Sequence, residues 1–231
     1  MNFVLSKKSL FITFFLVFTL VLAFYTNAKN TCVYSSSEKN TKKIAITFDD
    51  GPHPKQTEKI LKVLEKHGIK ATFFVVGVNA ENYSSSLERV IEKGHEIGNH
   101  TYSHSILKTL PKEKIEKEIS DVEKEIFDSY GYKIKLLRPP CGSYDDTLVE
   151  IASKKDLKIV LWNIDTRDWA NTSTNNMVNN VLKNVKGGDI ILFHDYIVGK
   201  SNTCCALEIL IPKLQAQGYE FVTVSELLQE E

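Results

Sequence analysis

The chain has 231 residues, 42% hydrophobic and 25% charged, with 29 cations balanced by 29 acids. That composition excludes a disordered tail, a collagen-like repeat and a polytopic membrane protein. The length suits one domain of about 200 residues or two small ones.

The first 28 residues differ from the rest. They hold Lys7 and Lys8, no acid, and six of the twelve Phe, and Leu10 to Tyr25 is apolar apart from Thr13 and Thr19. Thr26-Asn27-Ala28 then places small residues at the exit. A basic start, an apolar stretch and a small-residue exit describe a secretory signal over residues 1–28. The rival reading is an uncleaved N-terminal anchor, but the run is shorter than the roughly 20 residues that span a bilayer comfortably. Removing it leaves 27 cations against 29 acids, a net charge of −2. No basic stripe with interleaved aromatics is present, so nucleic acid is not an expected partner. Residues 29–42 are polar and read as a flexible leader. Only Arg89, Arg138 and Arg167 are arginines, so each is a candidate for a planar hydrogen-bonding task that Lys cannot do.

From Lys43 the pattern alternates. Apolar runs at Ile44–Phe48, Ala71–Val76, Ile134–Leu137, Leu157–Ile164, Asp189–Phe193 and Glu220–Val224, with a weaker one at Glu96–Asn99, read as strands of a parallel sheet buried on both faces. Ile115, Ile119, Val122, Ile126 and Tyr130 form one helical stripe; Ile60, Leu61 and Leu64 form another, and Leu207, Leu210, Ile211 and Leu214 a third. Pro212 is expected to kink or shorten that last helix. Glycines 68, 94, 131 and 218 stand at helix exits. No GxGxxG or P-loop motif occurs. One α/β domain over residues 43–231 follows, with an open sheet and a barrel equally compatible.

Polar clusters follow five of the strands: Asp49-Asp50-Gly51-Pro52, His100-Thr101-Tyr102-Ser103-His104, Arg138-Pro139-Pro140-Cys141-Gly142, Asp165-Thr166-Arg167-Asp168-Trp169, and His194-Asp195. Singly, each has an ordinary explanation. Paired Asp before Gly-Pro is a common turn, two His are often solvated, Asp165 and Asp168 could cap helices, and His194 could be a satisfied core residue. Two His four apart can also ligate one metal ion, and a strand-end His is an acid/base candidate. Five such clusters at strand carboxyl ends would converge on one face of a barrel. His53, His67 and His95 lie in turns or helix exits and read as structural.

These clusters, in this order, resemble the polysaccharide deacetylases of carbohydrate esterase family four, the NodB-homology group. The likeness spans Thr47-Phe48-Asp49-Asp50-Gly51 through Leu192-Phe193-His194 and continues to Gly218–Val224. It implies a distorted (β/α) barrel with about seven parallel strands. It also implies a divalent metal, zinc with cobalt, manganese or nickel as alternatives, held by Asp50, His100 and His104. Asp49 would be the general base, paired with Arg138. His194 would be the general acid, tuned by Asp165. The backbone N–H of Cys141 would stabilise the oxyanion, and Trp169 and Leu192 would wall the acetyl pocket. The family usually carries an aromatic residue where Cys141 stands, so a sugar-stacking surface is lost. Cys141 is expected to bond to Cys204 or Cys205, since all three follow strands.

The implied activity is removal of N-acetyl groups from an amino-sugar polymer by a monomer that is secreted or attached to the outer face of the membrane or wall. Export favours peptidoglycan, with chitin-type oligosaccharides next. The alternatives are an O-acetyl esterase on xylan-like glycan and a catalytically dormant glycan-binding wall protein.

Overall fold

In the computed structural model, which describes residues 32–37 and 41–229, the central strand is β2 (Lys43–Asp49). The export segment inferred from residues 1–28 lies outside the described residues. Successive side chains of a strand point to opposite faces. Ile44, Ile46 and Phe48 therefore join the apolar layer beneath the surrounding helices, whereas Ala45 faces the barrel interior. Around β2 stand β1 (Val33–Tyr34), β3 (Thr72–Val75), β4 (Glu96–Asn99), β5 (Leu136–Leu137), β6 (Lys158–Val160), β7 (Ile164–Asp165), β8 (Ile190–His194) and β9 (Glu220–Phe221). The sheet order is β1-β6-β5-β4-β3-β2-β8-β7, with β9 on β2, and every strand pairing is parallel. The sheet curls into the expected distorted barrel.

The helices are α1 (Gln56–Lys66), α2 (Gly77–Asn82), α3 (Ser84–Glu92), α4 (Lys112–Tyr130), α5 (Asp146–Lys154), α6 (Thr174–Asn184), α7 (Thr203–Ala216) and α8 (Val224–Leu228). The three stripes read from the sequence are buried, with Ile60, Leu61 and Leu64 on α1, Ile115, Ile119, Val122 and Ile126 on α4, and Leu207, Leu210, Ile211 and Leu214 on α7, except that Tyr130 at the end of the α4 stripe is only half-buried. Each such side chain contributes about 1.5–3 kcal/mol when fully buried. Helix α4 ends at Gly131, whose left-handed φ of 63° lets its N–H reach Phe127 O at 2.8 Å. Among the described residues no helix is long and apolar enough to cross a membrane.

Four local expectations are corrected. The leader is not wholly flexible: Val33 and Tyr34 pair with Ile159 and Val160, Ser36 bridges Asp189, and the Ser37 N–H donates to Gly188 O at 2.8 Å. One short segment thus touches both the β6 edge and the residues entering β8, satisfying backbone groups that an open edge would leave unpaired. The run Leu157–Ile164 is two strands, because β6 pairs with β5 while β7 has crossed to β8. Glu220–Val224 is strand only at its start. Thr223 caps α8 in a reciprocal capping box with Glu226, and α8 drives Val224, Leu227 and Leu228 into the barrel's inner apolar cluster. Pro212 does not shorten α7, which runs on to Ala216 with the proline on its exposed face.

Candidate active site

Strand register brings the chemistry together. Asp49, the last residue of β2, sits directly opposite His194, the last of β8, and the Asp195 N–H donates to Asp49 O at 3.1 Å. On the other side Asp49 pairs with Phe74, and Val75 with Asn99, just before His100. Asn99 also pairs with Leu137, just before Arg138. Five adjacent strands, β8, β2, β3, β4 and β5, therefore end nearly level with one another at the carboxyl rim.

Arg138 is fully buried inside the barrel. Its Nη1 donates to Asp49 Oδ1 and to Thr47 Oγ1, both at 2.8 Å. Nη2 donates to Leu161 O at 2.8 Å and Nε to Val160 O at 3.1 Å, and the guanidinium lies 4.0 Å from the Phe74 ring centre. Burial pulls the guanidinium pKa down while Asp49 opposes that. A rigid, nearly saturated fork of this kind holds one oxygen of Asp49 in place. The other, Oδ2, lies 3.8 Å from His100 Nε2 and faces the histidine pair.

Asp50 follows Asp49, so a regular strand would turn its carboxylate away from the site. A φ of 76° at Asp50 reverses that parity and brings both carboxylates to one place. Thr101 and His104 also carry positive φ values, 66° and 58°, so the histidine loop is coiled tightly. Such residues cost of order 1–3 kcal/mol each and persist where surrounding contacts hold them. Here the Asn99 Oδ1 accepts the Thr101 N–H at 2.8 Å, Glu118 accepts the Ser103 N–H at 2.8 Å, and Asn79 Nδ2 donates to Asp50 O at 2.7 Å.

Asp50, His100 and His104 offer ligand atoms that all lie within 4.8 Å of one another. Asp50 Oδ1 is 3.4 Å from His100 Nε2 and 3.1 Å from His104 Nε2, yet it is buried without a well-directed hydrogen bond among the described residues. Burial works against ionisation of Asp50, but the two imidazoles outweigh it and hold the carboxyl well below the usual carboxylate range. The His100 Nδ1 lies 2.7 Å from Arg138 O, so Nδ1–H donates there and leaves the Nε2 lone pair for an ion. An orphaned carboxylate oxygen facing two imidazole nitrogens fits a divalent cation, and one carboxylate with two histidines leaves coordination positions open for substrate.

The general-acid candidate has a different partner from the one expected. His194 Nδ1 is 2.8 Å from Asp168 Oδ1, and Asp168 Oδ2 accepts the His194 N–H and the Thr203 hydroxyl, each at 2.8 Å. Asp165 instead accepts the Arg167 N–H at 2.7 Å, in the turn that follows β7. Burial lowers the His194 pKa, but Asp168 together with Asp49 and Asp50 more than offsets it and the imidazole is raised to about 9. Asp165 and Asp168 stand three apart in one polar cluster, and spacing alone does not separate them.

Cys141 is exposed in the turn after β5, with φ 57°. Trp169 is 53% exposed at the rim, with the Arg167 guanidinium 5.8 Å from its ring centre, while Leu192 is buried within β8. The expected Cys141 disulfide is not formed: Cys32, Cys141, Cys204 and Cys205 are all free. Cys204 and Cys205 belong to the first turn of α7, and β4, β3 and β2 stand between β5 and β8 in the sheet. His95 is a buried residue that accepts the Ala71 N–H at 3.2 Å. Thr47, Asn99 and Thr203 also orient the site, a role that the sequence pattern did not assign to them. A polar residue at an inward position of an apolar strand was the available signal for Thr47, and one at the strand's end for Asn99.

Residues 36–160 match the family model described as polysaccharide deacetylase. A peptidoglycan-N-acetylglucosamine deacetylase of Bacillus cereus is 43% identical over 82% of this chain and 90% of its own length. The crystal structure of the Bc1960 peptidoglycan N-acetylglucosamine deacetylase superposes with a TM-score of 0.85 at 36% identity, covering 87% of this chain and 94% of that one. A Bacillus anthracis pseudoenzyme of carbohydrate esterase family four superposes with a TM-score of 0.80 at 29% identity, covering 84% and 68%. Sequence, fold and the ordered strand-end clusters agree, and the chain belongs to the polysaccharide deacetylase family.

Proposed function

We propose that this protein is an exported, metal-dependent hydrolase that removes N-acetyl groups from the amino sugars of cell-wall peptidoglycan. The carrying observation is the pairing of Asp49 with His194 across β2 and β8, each held by its own buried partner, Arg138 and Asp168, beside the Asp50–His100–His104 cluster.

Asp50, His100 and His104 would hold the ion, zinc being the expected one. When bound, such a cation polarises the acetyl carbonyl and acidifies water. Asp49 Oδ2 would take the proton of the attacking water while Arg138 keeps Oδ1 engaged. His194, an imidazolium at neutral pH, would deliver its Nε2 proton to the amide nitrogen as the carbon–nitrogen bond breaks, so that a neutral amine departs. The backbone N–H of Cys141 would donate to the carbonyl oxygen as it gains charge. Trp169 and Leu192 would border the acetyl methyl. Atoms balance: water supplies the hydroxyl of acetate and one proton of the amine.

Peptidoglycan is favoured over chitin by the Bacillus cereus relative's activity and by the export-like N-terminus. The dormant alternative is disfavoured because the chain carries every member of this set. The test is acetate release from purified N-acetylated peptidoglycan by the zinc- or cobalt-loaded protein. A folded, metal-loaded protein that releases none overturns the proposal.

A further inference from the structure

A cavity of about 780 Å3 is lined by residues of the segments that follow β2 and β8, and none of the residues assigned to the chemistry lines it. Its walls nevertheless continue from the catalytic strands. His53 comes from the turn that follows Asp49 and Asp50, and Tyr196 from the segment that follows His194. The two rings meet edge to face with centres 4.7 Å apart. Gln56 clamps the second wall at both ends of its amide: Nε2 donates to Ile197 O at 2.6 Å, and Oε1 accepts the Ile197 N–H at 3.0 Å. The wall is thereby fixed to the start of α1, so the cavity is a built feature of the rim.

Its chemistry is two-part. Ile60 and Ile197 are buried and give an apolar floor, while Lys55, Lys59 and Lys200 are exposed around it. No Asp or Glu lines the cavity, and none of these three lysines makes an ion pair among the described residues. Two acids on the flanking helices are already engaged, Glu58 with Arg89 and Glu208 with Lys66 and His67. Three unmatched ammonium groups over an apolar floor complement a ligand bearing carboxylates on short apolar residues.

We propose that this cavity is a subsite for the carboxylate-bearing peptide branch of peptidoglycan, placed so that a neighbouring sugar of the same strand reaches Asp49 and His194. The inference rests on the function proposed above and extends it from the reacting sugar to its substituted neighbour. A neutral chitin-type chain has nothing to offer the lysines, so the cavity separates the two glycans by charge.

The experiment compares the zinc-loaded protein with its Lys55→Gln/Lys59→Gln/Lys200→Gln variant in acetate release. The substrates are soluble peptidoglycan fragments with intact stems, freed of phosphate polymers, and N-acetyl chito-oligosaccharides. Exposed charges contribute modestly each, so the expected effect is an approximately tenfold rise in KM on stem-bearing fragments with kcat unchanged. The parent's preference for those fragments should also shrink as salt is raised. Chito-oligosaccharide kinetics should be the same in both proteins, which also shows that the variant is folded. An unchanged KM on stem-bearing fragments, or an equal rise on both substrates, overturns the subsite while leaving the deacetylase reading intact. A rise seen only with fragments that retain phosphate polymers overturns the carboxylate assignment. A parent that releases acetate from neither substrate overturns the proposed function and the subsite with it.

Discussion

Asp168→Asn is the substitution that most directly tests how the site is organised. Asp168 accepts four hydrogen bonds, from the His194 ring, the His194 N–H, the Thr203 hydroxyl and the Trp169 N–H. The His194 side chain is only 13% exposed, so burial by itself would depress its pKa; with Asp168 it reaches about 9 against an ordinary 6.5. That interval corresponds to ~3 kcal/mol of preference for the imidazolium in the folded protein. Because the folded pKa lies above the unfolded one, this stabilisation is complete below about pH 6.5 and is lost as pH rises through about 9. Asparagine removes the charge, leaving burial opposed only by the more distant Asp49 and Asp50. The His194 pKa should then fall, and the alkaline limb of kcat/KM should move down with it. The urea midpoints of parent and variant should differ most in the acidic range and converge in the alkaline range. Imidazole titration by NMR, with parent and variant under the same zinc loading, gives the first quantity and acetate release against pH the second. An Asp168→Asn protein with the parent's titration and pH profile, alongside an Asp165→Asn protein that lost both, would refute the assignment.

Three further outcomes are expected. Asp49→Asn should lower acetate release by about 10²–10⁴-fold, the usual worth of a positioned base, with bound metal unchanged by elemental analysis. His100→Ala should weaken metal binding by more than the about 10–100-fold typical of losing an outer-shell partner, read by competition with a chelating dye; parent-like affinity would remove His100 from the ligand set. Arg138→Leu should cost about 3–5 kcal/mol in chemical denaturation, because Asp49 stays buried without its cation, and a loss under about 1 kcal/mol would contradict the buried-pair reading.

Much of the active site could be read from residue order. Apolar runs marked the strands, and helical stripes at Ile115–Ile126 and Leu207–Leu214 marked the faces that became buried. Polar clusters just past strand ends marked a common rim, because parallel strands end on one side of the sheet. The three arginines proved to have distinct tasks: Arg138 at Asp49, Arg89 at Glu58 and Arg167 beside Trp169.

What the sequence by itself determined was therefore the alternation of elements and the set of polar residues at the rim, carried by local periodicity and spacing, while the family was implied by the resemblance of the ordered motifs. Only the tertiary structure decided which of those residues face one another. Asp168 rather than Asp165 meets His194 because of how the turn after β7 folds beneath α7. Asp49 and Asp50 converge because one residue takes a positive φ and breaks strand parity. Residues 33–37 join the barrel because they satisfy backbone groups of β6 and of the chain entering β8, more than a hundred residues away. Hydrogen-bond direction and strand register between distant segments are long-range properties, and a local pattern does not record them.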